Sequence, residues 1–463
     1  MEKLEDKYLK LLGSRILSEL NDLKRTVESA SSELDLTVTK LQAAVEGQLT
    51  TQEVMEILFK LGQTYPIDIS EILLVESDCT NGVKVCKASE SKKSRRVFVR
   101  SNRDNELTPY YEYRDTAMSN TSMFRPEWIE QLRVVKDCDP LNSDVVYNNG
   151  HLMHQVTFFI GPVNFYYEVE GIKYCQEMNT GDSNYITPFV KHSFASRDEN
   201  EQALIIACTF GGEAKRAQKE MYNLGSEGVE NFLLPKVNTN DATKSLILQH
   251  LENENMNAEI LQSKIQKQNI DLDLNTLLSP DGDISYSQLC KLSKLINVEV
   301  YDLMVSQNAI DDQVIMTKSN PDNIYCYPES QETQYRIQPL VRTSRLANVK
   351  SFDIEVLAQS YSAKLLWQST LHQYVYNYGD CSVDLFWSYG SESYTSTIEA
   401  GDSCYLQPNL PHCFVNSSSA RGRLINIRIP GAISLDVQRE ISAFADLERI
   451  TSETKPWFNP KGS

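Results

Sequence analysis

The stretch from Asn148 to His192 constrains the fold more than any other part of the chain. It opens with NNGHLMHQVTFFIGP, closes with GDSNYITPFVKH, and alternates side-chain types in between. Such alternation is typical of strands, and the Gly-Asp pair of the closing block is a turn signal. Because residues i and i+4 of a strand lie roughly 13 Å apart on one face, His151 and Gln155 share a site only if a bulge or twist closes the gap. We therefore predict a small antiparallel barrel whose strands aim both side chains, and His192, into one mouth.

Metal binding is the chemistry that this stretch indicates. Of the six histidines in the chain, five fall in two windows of this kind: His151, His154, His192, His372 and His412. A single histidine in a β-rich segment is most often an ordinary core or surface residue. Two imidazoles with one oxygen donor, however, form the ligand set of non-haem Fe(II) sites that keep positions open for substrate and O2. The histidines as a group therefore favour a metal site.

Length and composition limit the class of protein. A chain of 463 residues is too long for one core, so two or more domains are expected. The net charge of −18 argues against a nucleic-acid surface. Ten cysteines without a CxxC pair imply neither a zinc site nor a disulfide framework. A charged N-terminus and the absence of an apolar window of about 18 residues predict no signal peptide, no membrane contact and a cytoplasmic location.

An internal duplication fixes the expected architecture. Residues 58–73, LFKLGQTYPIDISEIL, correspond without gaps to residues 289–304, LCKLSKLINVEVYDLM, and the GDS block that ends at His192 recurs before His412. The His151–Gln155 motif and the GDS block that ends at His192 resemble the two motifs of a cupin barrel. We predict an α+β fold in which a small helix-turn-helix-like domain and a cupin double-stranded β-helix barrel occur twice. The predicted domains are a helical domain at 1–75, a catalytic barrel at 76–235, a second helical domain at 236–310 and a second, degenerate barrel at 311–463.

This order of domains, with NNGH opening the first barrel and GDS…P…H closing it, resembles the hydroxyethylphosphonate dioxygenase and methylphosphonate synthase family. The resemblance runs from about Leu20 to the second barrel. It implies one Fe(II) per chain, 2-hydroxyethylphosphonate and O2 as substrates, and cleavage of the carbon–carbon bond without an external reductant. A homo-oligomer is also expected.

The same resemblance implies the metal ligands. His151 and His192 match the family's two histidine ligands, but the place of the third, a glutamate in the dioxygenase branch, is Ile186 here. Gln155 stands where that branch has an apolar residue, so a site of two histidines and one glutamine, like that of the methylphosphonate synthase branch, is implied. Ile186 is then expected to form an apolar pocket wall. The alternative for Gln155 is a strand residue that only forms hydrogen bonds inside the barrel.

The residues expected to hold the phosphonate also come from the resemblance. It implies five substrate-binding positions: Lys24, Arg103, Tyr111, Asn148 and Arg428. Cations and hydrogen-bond donors suit a dianionic group. Arg100 and Arg103 lie near the barrel entrance in sequence and are both candidates for holding an anion. Tyr113 would take the place of Tyr111 if the loop carries a gap. In the second barrel Ser369 stands at the position of His151, so no tight iron site is expected there. That barrel is expected to provide structural support, a dimer contact and Arg428.

Three functions are compatible with these features, in order of preference. The first is conversion of 2-hydroxyethylphosphonate to methylphosphonate and a one-carbon oxidised product, carbon dioxide or bicarbonate. The second is the dioxygenase outcome, hydroxymethylphosphonate and formate. The third is a transcriptional regulator, built from helix-turn-helix and cupin domains, that binds a phosphonate effector. Its recognition helix would fall at residues 36–46, where Lys40 is the only cation, and this argues against DNA binding.

Overall fold

A computed structural model describes residues 2–73, 75–235, 239–305, 313–329, 333–363 and 366–452. It forms two compact units, one of residues 1–78 with those from 432 onward, and one of residues 79–431. The segment after 431, predicted as part of the second barrel, therefore groups with the N-terminal helices. The remaining domain boundaries, and the helix-turn-helix geometry, stay predictions.

The first unit is helical and is built around an apolar stripe. Its helices are Glu2–Asp22, Val27–Glu33, Val38–Val45, Thr51–Thr64, Ile69–Ile72, Leu435–Ser442 and Leu447–Ser452. Leu9, Leu12, Ile16 and Leu20 are all buried, because i, i+3 and i+4 positions share one helix face. Threonine hydroxyls accept hydrogen bonds from backbone N–H groups at three helix starts, which satisfies donors that a helix leaves unpaired.

The second unit contains two pairs of antiparallel sheets, consistent with two cupin-like barrels. In chain order its strands are β1 (Val83–Cys86), β2 (Arg96–Ser101), β3 (Leu107–Asp115), β4 (Phe124–Gln131), β5 (His154–Ile160), β6 (Val163–Val169), β7 (Ile172–Met178), β8 (Ser183–Ile186), β9 (Lys191–Ser196), β10 (Leu204–Phe210), β11 (Val314–Thr317), β12 (Tyr325–Tyr327), β13 (Tyr335–Pro339), β14 (Lys350–Val356), β15 (His372–Asn377), β16 (Val383–Tyr389), β17 (Glu392–Ile398), β18 (Ser403–Leu406), β19 (His412–Val415) and β20 (Gly422–Ile429). The first barrel combines the sheet β11-β8-β5-β10-β4-β3-β2 with β7-β6-β9. The second barrel combines β1-β18-β15-β20-β14-β13-β12 with β17-β16-β19.

Each large sheet includes one strand from the other half of the chain. β11 pairs with β8 in the first barrel, and β1 pairs with β18 in the second. The two turn aspartates hold these exchanged segments. Asp182 accepts hydrogen bonds from Lys318 Nζ at 3.0 Å and from the next backbone N–H at 2.8 Å, and Asp402 accepts them from Lys87 Nζ at 2.8 Å and from the next N–H at 2.7 Å. The predicted boundaries at 75/76 and 310/311 did not include this exchange.

Helices connect and flank the barrels of the second unit. They are Ala88–Lys93, Glu213–Arg216, Gln218–Glu230, Thr239–Asn253, Ala258–Lys267, Leu274–Leu278 and Tyr286–Leu295, with 3-10 turns at Val300–Leu303, Pro321–Asn323 and Ser344–Leu346. The duplicated lysines act alike in the two halves: Lys60 Nζ donates to the carbonyl of Leu34 at 3.0 Å and Lys291 Nζ to that of Asp271 at 2.8 Å. No helix in the described ranges is long and apolar enough to cross a membrane.

The two large sheets pack face to face. The rings of Phe158 and Tyr378 lie 5.1 Å apart, and those of Phe124 and Tyr405 lie 6.0 Å apart. Since side chains of a strand alternate between faces, Phe158 of β5 points toward the second barrel while Gln155 points into the first. The inner faces form separate apolar cores. A disulfide also joins Cys138 to Cys175, which the cysteine spacing did not predict.

Candidate metal centre

A cavity of about 220 Å³ opens at the mouth of the first barrel. Its walls include His151, Gln155, His192, Asn148, Tyr111 and Arg100. All three predicted metal ligands and two of the predicted substrate-binding residues therefore line one space. The rings of His151 and His192 lie 5.4 Å apart between centroids and are nearly perpendicular, at 83°.

A glycine turn brings His151 and Gln155 to the same cavity. Gly150, just before the histidine, has φ +71°, a conformation that side chains with a Cβ adopt at a cost. A Cβ at this position would lie 2.5 Å from the carbonyl oxygen of Phe189, whose N–H donates to the carbonyl of His151 at 2.9 Å. Because β5 begins only at His154, the two proposed ligands do not share a strand. The prediction of a bulge or twist within one strand is wrong, and a turn ahead of the strand replaces it.

Both histidines are held in the tautomer that suits a metal. His151 Nδ1 donates to the carbonyl of Met153 at 3.0 Å, and His192 Nδ1 donates to that of Val190 at 2.9 Å. A carbonyl only accepts, so the proton lies on Nδ1 and the lone pair lies on Nε2 in each ring. Burial lowers the pKa of His192 to about 4, which keeps that imidazole neutral, as a metal ligand must be.

Asn148 positions His192 from both sides. Its side-chain oxygen accepts the backbone N–H of His192 at 2.9 Å, and its amide nitrogen donates to His192 Nε2 at 3.0 Å. The second contact satisfies the nitrogen that would bind a metal. Asn148 thus lies beside the lone pair of a proposed ligand, where its amide can turn toward a substrate once that nitrogen is bound.

Gln155 lies directly across from Ile186. The register pairs Gln155 of β5 with Ile186 of β8 on one side and with Thr209 of β10 on the other, and opposite residues of antiparallel strands project to the same face. The side-chain oxygen of Gln155 therefore lies on the strand next to position 186, on the same face as a side chain at that position. Gln155 Nε2 donates to Thr157 Oγ1 at 2.9 Å, which leaves Oε1 as the atom to face a metal.

The donor set at this mouth fits a divalent metal with open positions. Within the described part of the chain, no three His, Cys, Asp or Glu side chains come together as a metal site. A centre built on the two imidazoles would take the amide oxygen of Gln155 as its third donor. Those three donors would leave coordination positions for substrate and O2, the arrangement of facial-triad iron sites.

The arginine that the resemblance implied, Arg103, does not line the cavity. Arg103 lies in the turn after β2, is largely exposed, and binds Asp144 through its backbone N–H at 2.8 Å and through its guanidinium. It does not line the cavity, whereas Arg100 and Arg125 do. The Arg100 guanidinium lies over the Tyr111 ring at 5.2 Å. Arg100 is therefore the arginine that lies beside Tyr111 in this cavity.

Tyr111 is buried at the cavity wall as predicted by its spacing. Its hydroxyl accepts the N–H of Phe194 at 2.8 Å and shares a hydrogen bond with Ser193 Oγ at 3.1 Å. Burial holds the pKa of Tyr111 well above its ordinary value, so the phenol keeps its proton. Tyr113, the alternative if the loop carried a gap, lines the same cavity.

The other three assignments fall elsewhere. Lys24 belongs to the helical unit, where its Nζ donates to the carbonyl of Asp22 at 2.7 Å; its part in substrate binding stays a prediction. Arg428 lines a cavity of the second barrel instead. Ile186 is fully buried in the apolar core of the first barrel and does not line the cavity. It packs in this core, opposite Gln155 on the neighbouring strand, and does not form a wall of the cavity.

Sequence reasoning missed the contribution of β4. Arg125, Glu127 and Ile129 alternate along this strand and all line the cavity. Burial raises the pKa of Glu127. The period of two in FRPEWIEQ shows that these residues share a face, but no local signal indicates that this face meets the barrel mouth.

Comparison with known proteins places the chain. No protein-family model matches it. A relative named methylphosphonate synthase, from Nitrosopumilus maritimus (strain SCM1), is 36% identical over 464 residues, which covers 99% of this chain and 98% of the relative. The chain belongs to the methylphosphonate synthase family.

Solved structures of similar proteins agree with this family. Streptomyces albus hydroxyethylphosphonate dioxygenase with 2-hydroxyethylphosphonate and Fe(II) bound is similar with a TM-score of 0.88 and 29% identity, over 98% of this chain and 99% of that chain. A mutant of hydroxyethylphosphonate dioxygenase is similar with a TM-score of 0.70 over 96% and 99% of the two chains, but at 13% identity it shows the fold alone. The transcriptional-regulator alternative has no counterpart among these methylphosphonate synthase relatives, whose names are those of enzymes.

Proposed function

We propose that the chain is an Fe(II)- and O2-dependent enzyme that converts 2-hydroxyethylphosphonate to methylphosphonate and a one-carbon oxidised product. Its family supports the product. The full-length similarity to a dioxygenase that holds the same substrate and Fe(II) supports the substrate and the cofactor. One 2-hydroxyethylphosphonate and one O2 yield one methylphosphonate, one carbon dioxide and one water, so atoms and electrons balance without an external reductant.

The observation that carries this proposal is the pairing of Gln155 with Ile186. The apolar side chain at 186 removes one possible oxygen donor, and the residue directly opposite supplies another. Nε2 of His151, Nε2 of His192 and Oε1 of Gln155 would then hold the iron. Bound Fe(II) would supply O2 activation and a Lewis acid for the hydroxyl and phosphonate oxygens of the substrate.

A neutral amide changes the electrostatics of the centre. Compared with a carboxylate, Gln155 leaves the site one unit of charge more positive. A phosphonate dianion restores the balance when it binds, so this ligand set favours an anionic substrate. Arg100 adds a cation at the cavity wall, and a charge-assisted hydrogen bond to a phosphonate oxygen is typically worth ~1.5–3 kcal/mol.

Three further residues position the substrate. The protonated Tyr111 hydroxyl remains a hydrogen-bond donor in the cavity. The Asn148 amide, released from His192 Nε2 by metal binding, becomes a second donor. Arg125 adds positive charge at the same wall. We assign the phosphonate to the part of the cavity wall where Arg100 lies over Tyr111.

Apolar residues complete the cavity and control the fate of the fragments after bond cleavage. Ile129, Met153 and Phe194 lie among its walls. When the carbon–carbon bond breaks, the phosphonate-bearing carbon must gain one hydrogen to become methylphosphonate. An apolar wall keeps water out and confines the one-carbon fragment, so that this fragment returns the hydrogen before it leaves.

Product analysis tests the proposal. Fe(II)-loaded protein is incubated with 2-hydroxyethylphosphonate and O2, and the products are read by phosphorus NMR, with the His151→Ala protein as the control. We expect methylphosphonate as the main phosphorus product and none from the control. Hydroxymethylphosphonate with formate as the main products would favour the dioxygenase outcome, and no product from the loaded protein would refute the activity.

A further inference from the structure

A second cavity, of about 280 Å³, opens in the second barrel. Its walls combine aromatic and aliphatic side chains with one cation, and they include Tyr325, Tyr327, Phe352, Trp367, Leu366 and Arg428. It is separate from the metal centre, since no residue lines both cavities. The proposed chemistry at the metal centre does not use this second cavity.

In the second barrel, a guanidinium contacts the glutamine that is equivalent to the proposed metal ligand Gln155 of the first barrel. The register pairs Arg428 with Gln373 on β20 and β15, just as it pairs Thr209 with Gln155 on β10 and β5. Arg428 Nε donates to Gln373 Oε1 at 3.0 Å. The amide oxygen equivalent to the proposed iron ligand therefore contacts a cation that belongs to the chain itself.

This cation has no counter-ion among the described residues. The neutral rings of Phe352 and Trp367 lie 5.2 and 6.0 Å from the guanidinium carbon of Arg428. Only its Nε has a hydrogen-bond acceptor within the described ranges, so both terminal nitrogens are left for another partner. A partly buried charge without a counter-ion costs free energy, and such a cost is typical of a site that is completed by a ligand.

Two more polar atoms in the same barrel lack partners. His412 Nδ1 donates to the carbonyl of Leu410 at 2.8 Å, so Nε2 is an acceptor, and within the described chain this buried atom has no hydrogen bond. The equivalent atom of His192 is satisfied by Asn148. Trp367, whose backbone N–H donates to the carbonyl of His412 as that of Asn148 donates to that of His192, makes no such bond to His412 Nε2. Buried Gln373 Nε2 is also unsatisfied in that part of the chain. Buried polar atoms normally have partners.

We propose that the second barrel binds a small organic anion, with its phosphonate or carboxylate head on Arg428 and its apolar body between the aromatic rings. A guanidinium presents two parallel N–H donors that match either head group. The rings supply the apolar contacts that a short alkyl or aryl body needs. Such binding needs neither iron nor O2, and so it stands apart from the proposed catalysis.

Calorimetry on the full-length His151→Ala/His192→Ala protein tests this site without the metal centre. The probes are methylphosphonate, phenylphosphonate and benzoate at physiological ionic strength. We expect one site per chain for at least one probe, and the tightest probe identifies the head group. Arg428→Gln should weaken binding about tenfold or more, whereas Arg336→Gln, which removes an exposed arginine paired with Glu355, should leave it unchanged.

Thermal unfolding supplies a second readout. The best probe should raise the unfolding temperature of the parent protein and not that of Arg428→Gln. Without any anion, Arg428→Gln should unfold at the same or a higher temperature, because it removes a partly buried charge without a counter-ion. If Arg428→Gln does not fold, Arg428→Lys keeps the charge but loses the two-pronged donor, and it too should weaken binding. Absence of binding for all three probes, or binding that survives both substitutions, would overturn the proposal.

Discussion

Replacing Gly150 with alanine should weaken Fe(II) binding as well as lower the free energy of unfolding. The residue has φ +71°, and a non-glycine residue there costs ~1–2 kcal/mol. The added Cβ would also lie 2.5 Å from the backbone oxygen of Phe189, so the turn must shift and His151 with it. Changes that misorient a metal ligand typically reduce affinity about 10- to 100-fold. We expect a loss of that size in anaerobic Fe(II) titrations of Gly150→Ala.

Gly171→Ala is the matched control for this prediction. Gly171 has a similar φ, +79°, but nothing lies within 4 Å of the position of its Cβ. It should therefore lose the same ~1–2 kcal/mol of unfolding free energy while it binds Fe(II) as the unchanged protein does. Wild-type Fe(II) affinity in Gly150→Ala, or equal affinity losses in both variants, would refute the role of the turn.

Two other predictions concern the substrate cavity and the buried histidines. Arg100→Gln should raise the KM for 2-hydroxyethylphosphonate roughly tenfold or more in steady-state kinetics. Arg103→Gln should leave the KM nearly unchanged, because that side chain is bound to Asp144 at the surface. Equal effects of the two substitutions would contradict the assignment of Arg100 to the substrate. Burial lowers the pKa of His412 to about 4 from its ordinary value near 6.5. As pH falls, the imidazole of His412 is therefore protonated in the unfolded chain before it is protonated in the folded chain. The free energy of unfolding then decreases between about pH 6.5 and 4, by up to ~1.4 kcal/mol per pH unit. Chemical denaturation of His412→Gln should show a shallower slope over this window, and an unchanged slope would rule out this titration.

The rarity of histidine and its duplicated blocks pointed to the two histidines, and the family resemblance pointed to Gln155; these three side chains line one cavity. The sequence did not show how His151 and Gln155 come together, since spacing alone did not distinguish a bulged strand from a glycine turn ahead of the strand. The positive φ of Gly150 depends on Phe189, about forty residues away. A contact so distant in sequence leaves no local pattern.

The arginine at the cavity shows a different limit. The resemblance selected Arg103 by its spacing to Tyr111, but Arg103 lies in the turn beyond the end of β2. Arg100 lies within that strand and lines the cavity, and spacing alone did not show where the strand ends. The strand exchange was missed for a related reason, because short strands such as β1 and β11 carry no signal of which sheet they join.

The iron content of Gln155→Ala tests the central claim most directly. The variant is compared with Gln373→Ala, which alters the equivalent position of the second barrel, by anaerobic Fe(II) titration followed by phosphorus NMR of the products. We predict that Gln155→Ala loses most of its Fe(II) affinity and its methylphosphonate output, while Gln373→Ala still binds about one Fe(II) per chain. A Gln155→Ala protein that binds one Fe(II) per chain with unchanged affinity and forms methylphosphonate normally would contradict the assignment of Gln155 as an iron ligand.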